Sequence, residues 1–177
     1  MKHLFPALLI CLLSSCGSIQ TESPSGTSGA SLGAGSFTRV VVKDFADAYP
    51  KGDAAITGRY AAKFADQIAA EIRRVKPGAV VTRNGAVSPS TLVVSGEVTR
   101  CEEGNAALRV MIGLGAGSCY FDARVRLTDG SGKALSTVLV DKNSWGGGGL
   151  LAGSQTVDTF VAEGAKKAAE QASTFLK

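Results

Sequence analysis

The chain has 177 residues, four cysteines, a single histidine (His3) and a formal charge of +4. That length suits one domain of ordinary size with a leader and a linker. The 45% apolar content supports a core, yet 25 Ala and 22 Gly supply little side-chain area and imply thin layers and close backbone approach. Removal of the N-terminus would leave no histidine, which excludes Ser-His-Asp and Cys-His catalysis and any histidine-ligated metal. No metal and no cofactor are expected. The charge, about +3 once Lys2 is lost, is too weak and too scattered for a nucleic-acid partner.

Residues 1–16 read MKHLFPALLICLLSSC. Lys2 and His3 give a polar start, Leu4 to Leu13 is apolar, and Ser14 and Ser15 precede Cys16. This is the pattern of a secretory signal peptide, and its apolar run is too short to cross a bilayer. Leu13-Ser14-Ser15-Cys16 resembles the lipobox of bacterial lipoproteins. The resemblance implies cleavage before Cys16, palmitate-type acylation of that residue, and an anchor of about three chains, where two already hold stably. Residue 17 is Gly rather than Asp, which by the same resemblance implies the outer membrane, facing the periplasm, or the cell membrane in an organism without an outer one. The reading thus gives a signal peptide over 1–15, an acylated Cys16 with a tether to 36, and one globular domain over 37–177. Residues 17–36 are rich in Ser, Gly and Thr and read as a flexible linker, spanning roughly 25 Å as a coil.

The domain opens with a partly buried strand, Phe37 to Phe45, carrying Val40-Val41-Val42. Pro50, Gly52 and Asp53 make a turn, with Asp53 placed to cap a helix. From Ala54 to Val75, Ile56, Tyr60, Phe64, Ile68, Ile72 and Val75 form one apolar stripe on about six helical turns, stopped by Pro77-Gly78. A short strand is expected over 79–83. Leu92 to Cys101 alternates as a half-buried strand, and Cys119 to Thr128 does the same with Phe121, Ala123, Val125 and Leu127 inward. Asp129-Gly130-Ser131-Gly132 is a hairpin turn leading to a return strand over 134–143. A final amphipathic helix covers about 156–176, and Gly164 in its middle implies a close helix–sheet contact. The expected fold is an α+β two-layer sandwich, with about five strands in a mixed sheet and two helices on one face.

Cys11 leaves with the leader, so Cys101 and Cys119 remain in a compartment that permits disulfides. They bracket a Gly-rich excursion, and a bridge between them would contribute roughly 3 kcal/mol. Cys101 sits on the polar face of its strand and Cys119 on the apolar face of its own, so the pairing requires a bulge or twist at the strand ends. A redox or metal-binding pair is disfavoured by the absence of C-x-x-C spacing.

Gly113 to Ser118 resembles a fragment of a phosphate loop, but a strand follows where such a loop needs a helix N-terminus. Residues 106–117, AALRVMIGLGAG, are apolar with only Arg109 charged, and 146–153 form a second apolar Gly-rich loop. Both fit packing over the domain's own sheet, contact with a partner, or contact with membrane. As a partner surface the candidates are Met111, Ile112, Leu114, Trp145, Leu150 and Leu151. Among carboxylates, Asp44 and Asp47 follow the first strand and Glu102-Glu103 end another. Solvation or capping is the expected role of all four, and no catalytic residue is assigned.

The segments VVVKDF, LVVSGEV, RVMIGLGAGSCYFDARVRLTD and GSGKAL, in that order between Phe37 and Leu176, resemble bacterial lipoproteins carrying the DUF4410 domain. More distantly, the strand ending in Asp-Phe, the helix after it and the later hairpin look like the periplasmic domain of the curli secretion lipoprotein. These resemblances imply no catalytic residues. The lipobox, the tether, the absent histidine and the lack of a catalytic constellation point to a non-enzymatic, membrane-anchored binding or structural protein with an envelope partner or copies of itself, and the likeness to the curli lipoprotein implies the alternative of an oligomeric subunit of a secretion or assembly machine.

Overall fold

A computed structural model describes residues 17–22, 35–112, 115–145 and 154–177. Seven strands form one mixed sheet: β1 (Gly17–Glu22), β2 (Arg39–Val42), β3 (Ala46–Asp47), β4 (Val80–Arg83), β5 (Thr91–Glu102), β6 (Tyr120–Asp129) and β7 (Ala134–Asn143). Their order is β1-β7-β6-β5-β2-β4, with β3 continuing beside β5. β2 lies parallel to β4 and β5, while β5, β6, β7 and β1 run antiparallel in succession. The described helices are α1 (Ala54–Val75), α2 (Ala106–Met111) and α3 (Val157–Ser173).

α1 forms where the apolar stripe predicts it. The Asp53 carboxylate accepts from the amides of Ala55 at 2.8 Å and Ile56 at 3.2 Å, satisfying two donors that the first turn leaves open. Tyr60, Phe64, Ile68 and Ile72 are buried against the sheet. Thr156 caps α3 through Thr159, and α1 and α3 pack side by side on the same sheet face. Phe64 sits at the centre of the core, edge-on to Phe45 and Phe121 with ring centroids 5.1 Å away in each case. Gly164 accounts for the close layer contact: a Cβ there would lie 3.1 Å from Val140 Cγ1 and 3.2 Å from Phe64 Cε2.

The opposite face of the sheet carries the polar half of each alternation. There Glu97 bridges Arg124 at 2.9 Å and Arg126 at 2.7 Å on the neighbouring strand. The chain is closed on itself near its end, where Phe37 receives a bond from Lys177 N and gives one to Phe175 O.

The structure departs from the expected fold in three places. The first six residues of the expected flexible linker are β1, an edge strand in register with β7 from Gly17↔Lys142 to Glu22↔Thr137. Only Ile19 of β1 packs on the core, and the strand exists because β7 would otherwise present a bare edge. β3, only two residues long, is the other strand beyond the expected five. The Gly-rich excursion is not a plain loop, since it contains α2, capped by Asn105 through the amide of Leu108 at 3.1 Å.

Candidate functional site

Strand directions gather several segments at one end of the sheet. β1 starts there, β5 and β7 finish there, β6 starts there, and α2 hangs between β5 and β6. Gly17, Ser18, Tyr120, Asp141, Asn143 and Trp145 line an open cleft of about 510 Å³ at this end. The Trp145 indole is 56% exposed, Met111 83% and Ile112 61%, with Leu108 and Val110 also exposed on α2. Gly115, at φ +86°, passes so close to the indole that a Cβ would overlap it, so the excursion and the Trp145 segment touch.

Arg109 holds the excursion down. It is 4% exposed, and its guanidinium donates to Gly117 O at 2.7 Å and Gln155 O at 2.9 Å. The only charge in the apolar stretch is thus a pin, tying α2 to the loop after it and to the residue before the Thr156 cap. Asn105 N adds a bond to Gly117 O at 2.8 Å. With its polar groups satisfied inward, α2 turns Met111 and Ile112 outward.

Of the expected partner surface, Met111, Ile112 and Trp145 are exposed, the first two at the end of α2 and the third just after β7. Leu114, Leu150 and Leu151 lie outside the described residues, as does the expected lipidation site Cys16. Cys101 and Cys119, the pair expected to bridge, are both buried and stand unbonded in the structure. The bulge that pairing required is present, a register shift between Val98 and Arg100 that turns Cys101 to the core face. The register sets Cys101 opposite Phe121. The Cys119 thiol turns instead toward Gln155 O at 3.6 Å, and burial pushes the Cys101 thiol up to about 12.

Of the four carboxylates singled out in the sequence, Asp44, Glu102 and Glu103 are engaged with side-chain partners, and Asp47 holds a local turn. Glu102 accepts from Tyr49 Oη at 2.5 Å and Arg100 Nε at 2.9 Å, and the arginine bond holds its carboxyl below the ordinary range. Arg100 also stacks 3.4 Å over the Tyr120 ring. Glu103 accepts from Arg59 at 2.6 Å and Tyr60 Oη at 2.8 Å. Asp44 accepts from the Arg83 guanidinium at 2.5 Å, and its carboxyl is lowered chiefly by its bond with Asn84. Asp47 accepts from Tyr49 N at 2.9 Å, a local turn.

One titratable group escaped the sequence reading. Asp122 on β6 faces Asp141 on β7 directly across the polar face. Desolvation first, and the Asp141 charge second, push its carboxyl up to about 6, and its buried Oδ1 has no hydrogen-bond partner. The alternation placed Asp122 on this face, but nothing in the sequence revealed which strand pairs with β6 in what register. No group of three or more metal-ligating side chains occurs among the described residues. No described helix is long and apolar enough to cross a membrane.

No curated protein matches this chain in sequence. In fold it is similar to the PelC dodecamer of Paraburkholderia phytofirmans, at a TM-score of 0.55 and 16% identity, over 89% of this chain and 98% of that one. A single-substitution variant of the PelC dodecamer from the same organism superposes at a TM-score of 0.57 and 14% identity, over 89% of this chain and 99% of that one. At such identities the likeness concerns the fold. The matched family is the Domain of unknown function (DUF4410), over residues 40–148, which takes in β2 through β7 and the whole excursion. The matched stretch is most of the chain, and the protein belongs to the DUF4410 family.

Proposed function

We propose that this protein is anchored by an acylated Cys16 to the outer membrane, faces the periplasm, and acts by binding rather than by catalysis. The observation that carries the reading is the exposure of Met111, Ile112 and Trp145, on the excursion and on the segment whose indole Gly115 touches. Exposed apolar groups beside a pinned excursion are what a binding surface requires. The engagement of Asp44, Asp47, Glu102 and Glu103 in structural bonds favours the same reading. Cross-linking in intact cells should recover one specific envelope partner at the Trp145 end. Recovery of none would overturn the binding role.

A second reading, a homo-oligomeric subunit of an envelope secretion or assembly machine, has its own support. β1 and β4 are both outermost strands of the described sheet, with different sequences and surroundings. Joining the β1 edge of one copy to the β4 edge of the next is a heterologous contact, the kind that closes into rings. The similar PelC chains are dodecamers. Sedimentation of the detergent-extracted protein decides this: a multiple of the monomer mass is expected, and a strict monomer excludes it.

A further inference from the structure

We propose that the Trp145 end of the sheet rests on the bilayer surface, with the indole seated among the lipid headgroups. This deepens the anchored reading above and rests on it. Cys16 is one peptide bond from Gly17, and Gly17 is held opposite Lys142 and lines the same cleft as Trp145 and Tyr120. One residue spans about 3.5 Å, so acyl chains on Cys16 would enter the bilayer beside that cleft. The chain that would have been slack is zipped into β1, so nothing lifts the domain away. What the anchor holds against the lipid is an end bearing an indole, a phenol and the exposed Met111 and Ile112. Tryptophan and tyrosine favour the headgroup level, where an apolar ring meets a polar edge. Met111 and Ile112 suit the layer just below it.

The test uses the protein's single tryptophan. The full acylated protein is reconstituted into phosphatidylcholine vesicles whose acyl chains carry bromine at a shallow or a deep position. Co-flotation with the vesicles reads anchoring, and quenching of Trp145 reads docking. The expected result is flotation with quenching that is strongest for shallow bromine. Flotation without quenching overturns the docking and leaves the anchor standing. A blue-shifted but unquenched emission that grows with protein density also overturns it, by assigning this end to a second copy. Failure to float, with no acyl mass on Cys16, overturns the anchored reading and the docking with it. In the floating protein, the double change Met111→Gln and Ile112→Gln should reduce the quenching roughly twofold, because the apolar face drives interfacial insertion. Both side chains are exposed, so folding is spared, and unchanged quenching would remove α2 from the contact.

Discussion

Two glycines in helices give a sharp test of the packing argument. Gly58 and Gly164 both lie inside helices, and each costs about 1 kcal/mol relative to Ala from backbone freedom alone. Their surroundings differ. A Cβ on Gly58 meets nothing within 4 Å, whereas one on Gly164 meets Val140 Cγ1 at 3.1 Å and Phe64 Cε2 at 3.2 Å. Carbon pairs prefer about 3.5–4.0 Å, so the second methyl must push β7 and α1 aside. Overpacking of that kind costs about 1–3 kcal/mol. Gly58→Ala should therefore stabilise by about 1 kcal/mol, while Gly164→Ala should lose about 1 kcal/mol after its helix gain is counted. With urea slopes of about 1–3 kcal/mol per molar, the two unfolding midpoints should separate by about 1 M. The assay is equilibrium urea unfolding followed by circular dichroism, with equal slopes as the check on two-state behaviour. If Gly164→Ala raises the midpoint as much as Gly58→Ala does, the tight contact between helix and sheet is refuted.

Further outcomes follow from single contacts. Asp53→Ala should cost about 1 kcal/mol in urea unfolding, and Asp53→Asn should restore most of it, since both carbonyl-type oxygens accept from the first turn. Arg109→Leu removes the bonds to Gly117 O and Gln155 O, and limited proteolysis should then cut within the excursion well before the rest of the domain. Alkylation without reductant should label two thiols per processed chain after unfolding and few before it, because both side chains are buried and that of Cys101 is held protonated. A single disulfide mass shift would contradict that outcome. Asp122 ionises at about 6 when folded against an ordinary 3.8, so its contribution to stability is greatest below that ordinary value and is lost as pH rises through 6. Asp122→Asn should flatten that fall, gaining about 1 kcal/mol above pH 6 once partial exposure is allowed for. An unchanged pH profile would show that burial does not raise this carboxyl.

Where a residue pattern repeats many times, the fold was legible. The stripe from Tyr60 to Ile72 and the alternation from Phe121 to Leu127 each repeat a period often enough to leave one arrangement, and α1 and the β6–β7 hairpin follow. Legibility failed where pairing decides the outcome. β1 has one core-facing side chain, Ile19, and no local pattern separates GSIQTE from a linker; the open edge of β7 makes it a strand. The strand patterns set Cys101 and Cys119 on opposite faces, and only the shift between Val98 and Arg100, which no local pattern announces, turns Cys101 to the core side. In the site, apolar residues marked Met111, Ile112 and Trp145, because exposure follows from an excess of apolar groups in loops. The burial of Arg109 was invisible, since a lone charge in an apolar stretch usually marks the face turned to water.

The pairing of β1 with β7 also determines how the molecule bears load. Gly17 sits at the outer end of its strand, and β1 runs from there along β7 to Glu22. A pull on the residue before Gly17 is directed along the strand axis. It loads the ladder from Gly17↔Lys142 to Glu22↔Thr137 together, in shear, rather than opening the pairs one by one. An axial load on β1 is thus shared by six residue pairs along the edge of the sheet.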